Sequence, residues 1–116
     1  MTAAALTQVT EKAWQAQVRE LLALAGFDLT YCTWNSRRSP AGFPDLVALR
    51  SSDGTLAVLE LKTETGRLSP AQVEWLGAWS IFSLRAELAG LRVIVGMFRP
   101  SDRDQLWELL DGGNTP

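Results

Sequence analysis

One hairpin constrains this chain more than any other stretch. Ser51-Ser52-Asp53-Gly54 contains an Asp-Gly pair, among the strongest short turn signals, with an apolar segment on either side. Asp45 to Arg50 reads as the outgoing strand and Thr55 to Lys62 as the return. Side chains alternate along a strand, so Leu56, Val58, Glu60 and Lys62 share one face, and Ala57, Leu59 and Leu61 the other. A hairpin of this length sets Asp45 opposite the end of the return strand. Two acids and a lysine that lie apart in sequence are thereby predicted to meet.

The remaining elements are read outward from that hairpin. Residues 1–9 read as a loose lead-in. Thr10 caps a helix predicted to run to about Ala25, with Glu11 at its positive end and Gly26 closing it. Trp14, Val18, Leu21, Leu22 and Ala25 recur at steps of 3 and 4 and form its apolar stripe. Glu11 and Gln15 fall at or beside that stripe. An acid at a buried edge needs a reason, because carboxylates are rarely buried unpaired. Asp28 to Trp34 reads as a strand, and Asn35 to Gly42 as a polar loop. Pro44 then holds the approach to Asp45 extended.

After the hairpin, Ser69, Pro70 and Gln72 match a capping box opening a helix that Gly90 ends. The weakly helical stretch Trp79 to Ser83 predicts a bend or break within it. Leu91 to Phe98 reads as a buried strand ended by Pro100. Ser101 is expected to cap a last helix to about Leu110, and residues 111–116 read as a loose tail. The order α-β-β-β-α-β-α predicts an α/β (α+β) domain over residues 1–116. Its central four-stranded sheet is mixed and flanked by helices, the last strand being made parallel by its helical crossover.

Composition removes several chemistries. Of 116 residues none is histidine, which excludes His-based triads, a His general base and His-rich zinc sites. The single cysteine, Cys32, excludes an intramolecular disulfide and suits a reducing, cytoplasmic compartment. It is expected to be an inert core thiol. No apolar run approaches a membrane span, and the first residues lack the basic and apolar regions of a signal peptide. A formal charge of −2 argues mildly against coating nucleic acid by bulk charge, without excluding a local basic patch.

Two carboxylates within a few ångströms repel, and one is protonated unless a cation sits between them. A hard divalent ion with oxygen ligands, Mg²⁺ or Mn²⁺, is the least costly such cation. Asp45 and Glu60 supply the one or two carboxylates Mg²⁺ commonly uses, and the Leu61 backbone carbonyl could add another oxygen. Lys62 could hold a water or offset charge developing on a phosphate. Spacing alone does not separate this from a surface turn acid and a solvated Glu60/Lys62 strand pair. Pro44 and Gly42 before Asp45, and the apolar strand that ends in Glu60, favour the site.

Gly42-Phe43-Pro44-Asp45-Leu46, Glu60-Leu61-Lys62-Thr63 and Gly66-Arg67-Leu68-Ser69-Pro70-Ala71-Gln72-Val73-Glu74-Trp75 together resemble the VRR-NUC domain. That family is a branch of the PD-(D/E)XK nuclease superfamily, and the resemblance runs from about Glu11 to Leu110. It implies a restriction-endonuclease-like αβββαβ core and a Mg²⁺- or Mn²⁺-dependent DNA endonuclease serving phage or bacterial replication, repair or recombination. It implies Asp45 and Glu60 as metal ligands, Lys62 as the catalytic lysine and Gln72 as the site glutamine. The family's first-helix acid matches Glu11 by chemistry, with Gln15 the competing position by spacing. Arg37, Arg38 and Ser39 lie in the loop before the first acid and are expected to grip DNA phosphates. Arg67 and Lys12 are weaker candidates, and Trp34 is the tryptophan best placed to meet a base. One active site per chain makes cutting both strands of a duplex, or a branched junction, the work of a homodimer. The competing function is a non-catalytic nucleic-acid-binding or assembly module that keeps the fold. A small-molecule phosphohydrolase is disfavoured, because the chain is too small to enclose such a substrate.

Overall fold

The computed structural model describes residues 2–33 and 39–111. A short helix α1 (Ala3–Thr7) precedes α2 (Glu11–Leu24). Strands β1 (Leu29–Cys32), β2 (Leu46–Arg50) and β3 (Thr55–Leu61) follow. Then come α3 (Pro70–Leu88), β4 (Arg92–Phe98), a 3-10 turn (Pro100–Asp102) and α4 (Arg103–Asp111). The sheet order is β1-β2-β3-β4, antiparallel for the first two pairs and parallel between β3 and β4. None of the described helices is long and apolar enough to cross a membrane.

The predicted hairpin is present. Leu46 pairs with Leu59 and Arg50 with Thr55, so the next position outward sets Asp45 across from Glu60. One face of the sheet carries Leu46, Ala48, Ala57, Leu59, Leu61, Ile94 and Phe98, and the buried stripe of α2 and Leu106 and Leu110 of α4 close over it. Glu60 and Lys62 point to the other face, where α3 packs against β4.

Arg50 ties three elements together. Its guanidinium is buried and donates to the Ala25 carbonyl at 2.9 Å, to the Leu110 carbonyl at 2.6 Å and to Asp53 at 3.0 Å. The two carbonyls belong to the C-terminal ends of α2 and α4, which therefore meet at the hairpin. The guanidinium holds the Asp53 carboxyl down at about 2.

Several expectations are corrected. Residues 3–7 form a helix rather than a loose lead-in, because the Thr2 hydroxyl caps it by accepting from the Ala5 N–H. Cys32 is only half-buried, because the last residue of a short edge strand packs on one side only. α3 runs unbroken through Trp79–Ser83: Ser80 and Ser83 bond back to the carbonyls of Leu76 and Ser80 within the helix, and its ladder survives. β4 is an edge strand and half-buried, not a buried one, since nothing pairs with its outer side among the described residues. Its apolar run reflects helices on both faces. Ser101 does not cap the last helix. Pro100 starts a 3-10 turn instead, the Asp102 carboxylate accepts from the Arg99 N–H, and α4 begins at Arg103. Glu11 is exposed, so the acid predicted at a buried edge stands in solvent.

Candidate active site

Three approaches converge at the end of the hairpin. The first is the turn before β2. Gly42 adopts φ +84, and a Cβ built there would lie 2.4 Å from the backbone of Ala71 in the first turn of α3. Only glycine permits this backbone-on-helix contact. Phe43 then sets its ring edge-on to Trp75, with centroids 5.0 Å apart. Pro44 is buried, and its carbonyl accepts from the Thr33 hydroxyl. The loop thus docks on α3 before delivering Asp45, whose Oδ2 accepts from the Leu61 N–H at 2.9 Å.

The second approach is α3 itself. Ser69 and Gln72 form the predicted capping box, with Gln72 Oε1 accepting from the Ser69 N–H at 2.8 Å. The same amide then uses its other end: Gln72 Nε2 donates to Glu60 Oε1 at 2.9 Å. The capping role and the site role, alternatives in the sequence, are carried by one side chain.

The third approach is β4. The Phe98 carbonyl accepts from the Lys62 N–H at 3.1 Å and from the buried Trp14 indole N–H at 2.9 Å. Arg99 donates to the Thr63 carbonyl, and Glu64 accepts from the Ser101 N–H. The segment after β3 is therefore pinned to the end of β4, and α2 is pinned to the same carbonyl. Sequence reasoning missed this. Trp14 read as packing alone, and a backbone carbonyl leaves no trace in a sequence. The only available signal was that a buried indole N–H requires an acceptor.

Glu60 is the unusual group. It is 1 % exposed, and its Oε2 is buried without a hydrogen-bond partner. Lys62 Nζ stands 3.9 Å from Oε1, too far for a hydrogen bond. Burial first, then the negative Asp45 carboxylate beside it, push the Glu60 carboxyl up to about 8, against a downward pull from Lys62. Two ionised carboxylates are both acceptors and cannot satisfy one another. One must take a proton, or a cation must lie between them.

That partnerless oxygen beside a second carboxylate suits a hard, oxygen-seeking cation. The donor set is lean: among the described residues no group of three or more His, Cys, Asp or Glu side chains could hold a metal. Asp45 and Glu60 are two carboxylates, with backbone oxygen and water left to complete any shell. Glu11 and Gln15 make no hydrogen bond or ion pair with Asp45, Glu60 or Lys62 among the described residues; Glu11 is exposed and Gln15 half-buried. Ser39 is half-buried, and Arg67 and Lys12 are exposed. Trp34, Arg37 and Arg38 lie outside the described residues.

The VRR-NUC domain family matches residues 3–90. The chain belongs to the VRR-NUC family. Membership implies a nuclease-type domain, and the mixed four-stranded sheet between helices is consistent with the PD-(D/E)XK-like nuclease fold. No curated protein and no solved structure matches the chain. The VRR-NUC match holds Asp45, Glu60, Lys62 and Gln72, whereas β4 and the Phe98 carbonyl that anchors Lys62 lie beyond it.

Proposed function

We propose that this chain is a divalent-metal-dependent endonuclease that hydrolyses DNA phosphodiesters, using Mg²⁺ or Mn²⁺. The observation that carries the reading is the buried, partnerless Glu60 oxygen beside Asp45, with Lys62 and Gln72 at the same end of the sheet. In this reading Asp45, Glu60 and the Leu61 carbonyl hold the ion. When bound, it supplies Lewis-acid activation of water and of the phosphate.

The other roles fall to the chain's own side chains. Gln72 fixes one oxygen of Glu60 through its amide and leaves the second oxygen to face the ion. Lys62 is partly solvent-accessible, so its ammonium can meet a phosphate oxygen where negative charge develops. The Leu61 N–H orients Asp45. Between the two competing helix positions, Gln15 is favoured, being half-buried and next to the anchored Trp14. Arg37, Arg38, Ser39 and Arg67 contact the DNA backbone and Trp34 a base, in a cytoplasmic protein serving phage or bacterial DNA replication, repair or recombination, branched DNA included. A homodimer places two such sites on one substrate.

The test incubates purified protein with supercoiled, linear, single-stranded and branched DNA, in Mg²⁺, Mn²⁺ or EDTA, alongside Lys62→Ala. Cleavage that needs the metal and disappears in the variant supports the reading. Equal cleavage by both proteins, or none by the wild type on every substrate, sinks it.

A further inference from the structure

The sheet face that carries Asp45 and Glu60 is covered only in part. Helix α3 packs over β4, and the β1–β2 side of that face lies open. Side chains alternate along a strand, so Val47 and Leu49 point the same way as Asp45. Tyr31 pairs with Val47 and Leu29 with Leu49, which sets both on the same face. The large side chains there stand out into solvent: Tyr31 is 57 % exposed, Leu29 64 % and Leu49 45 %. At the rise of a strand, the Tyr31–Val47 pair lies roughly 7 Å from Asp45 and the Leu29–Leu49 pair roughly 14 Å. Helix α3 brings aromatic rings to that side. Gly42 and Phe43, on the loop that enters β2, dock on Ala71 and Trp75. Ala78 and Phe82 continue the stripe of Ala71 and Trp75 at steps of 3 and 4. Trp75, Ala78, Trp79 and Phe82 line a shallow hollow of about 220 Å³, and Phe82 is 52 % exposed.

We propose that this open face is a subsite for unpaired nucleobases. The strand to be cut leaves the acids with its bases against Tyr31 and the Leu29–Leu49 pair, beside the α3 rings. The proposal rests on the nuclease reading and narrows its substrate to a single strand, or a strand opened at a branch, rather than intact duplex.

Position, charge and hydrogen bonding select this occupant. The face is continuous with the acids, since Val47 follows Asp45 on one strand and Val58 precedes Glu60 on the next. Its positions on β1, β2 and β3 carry no Lys or Arg, and the first cation met is Lys62, at the acid end. It therefore offers the phosphates of a duplex nothing to hold beyond the site itself. Base faces need no charge and stack on aromatic side chains, but in a duplex they are already stacked on one another. Trp79 Nε1 is buried without a hydrogen-bond partner among the described residues. A group that closes on it must bring an acceptor, as a base carbonyl does and an aliphatic side chain does not.

Binding of labelled oligonucleotides to the full chain tests this, in EDTA so that nothing is cut. Three probes of one length are compared: a single strand, its duplex, and an abasic strand that keeps the phosphates and lacks the bases. The single strand should bind roughly tenfold or more tightly than either of the others. Tyr31→Ala and Phe82→Ala should each weaken it by roughly fivefold or more and leave the abasic strand unchanged, while Tyr31→Trp should keep it. Both side chains are more than half exposed, so circular dichroism should show every variant folded. Abasic and base-bearing strands bound equally, or Tyr31→Ala without effect, would overturn the proposal. A neutral amphipathic peptide that binds tightly and is not displaced by the single strand would give the face to a protein partner and overturn it too. Cleavage is scored separately. Base-dependent binding without metal-dependent cutting refutes the nuclease reading and leaves the subsite standing. Metal-dependent cutting with no base dependence does the reverse.

Discussion

In the proposed nuclease Glu60 sets stability and function against each other, and Glu60→Gln separates them. The ordinary carboxyl value is 4.5, and the fold pushes Glu60 up to about 8. The sign follows from linkage: the folded state holds the proton more tightly than the unfolded one. The stabilisation from a neutral Glu60 is fully present below 4.5 and is lost as pH rises through 8. At 1.36 kcal/mol per pK unit, ionising Glu60 without a cation costs on the order of 2–4 kcal/mol near pH 8. Glutamine is neutral at every pH, and its carbonyl can still accept from Gln72. In EDTA the variant should therefore match the wild type near pH 5 and exceed it near pH 8, by roughly 5–15 °C in Tm. Added Mg²⁺ or Mn²⁺ should raise the wild-type Tm at pH 8 and leave the variant almost unmoved. Cleavage should fall by at least about a hundredfold. Urea or thermal unfolding followed by circular dichroism, from pH 5 to 9, reads all but the last. A variant less stable than the wild type at pH 8, or a gap that does not change with pH, would refute the reasoning.

The other predictions concern how the site is held. Lys62→Ala should keep the fold, because the anchor to Phe98 is a backbone bond, while cleavage drops by roughly a hundredfold or more. Gly42→Ala demands a left-handed alanine and a Cβ pressed into Ala71; it should cost about 2 kcal/mol or more in denaturant unfolding and lower cleavage with it. Arg50→Met leaves the Ala25 and Leu110 carbonyls without their donor. It should cost about 3 kcal/mol, while cleavage per folded molecule stays near wild type, because Arg50 is far from the acids along the hairpin.

What was legible in the sequence is local. Asp53-Gly54 and strand alternation set the hairpin register, which places Asp45 and Glu60. Ser69, Pro70 and Gln72 marked the start of α3 to the residue. What was not legible depends on partners distant in the chain. Arg50 looked like a strand-end charge, and its partners at Ala25 and Leu110 become neighbours only when α2 and α4 close on the sheet. Glu11 looked half-buried because a helical wheel ranks angles and not position along the axis, and as the first residue of α2 it stands in solvent although Trp14, three residues on, is buried. Ser101 resembled a cap, but the proline before it had already begun a tighter turn. In the candidate site, the carboxylates and the lysine were readable from residue type. The bonds that hold the lysine's backbone run to a carbonyl, which any residue at position 98 would offer.

That carbonyl bears on how the molecule comes into being. Residues 14, 45, 60, 62 and 72 leave the ribosome well before residue 98, yet Trp14 and Lys62 share Phe98 as their anchor. The Trp14 bond spans 84 residues, and β4 joins β3 in parallel, a pairing that closes slowly because the intervening chain must be ordered first. A nascent or partly unfolded chain thus carries the acids and the lysine without the strand that fixes them. Cutting competence should arrive late and all at once, with the docking of the last strand, and local opening of β4 should abolish it while most of the fold still stands.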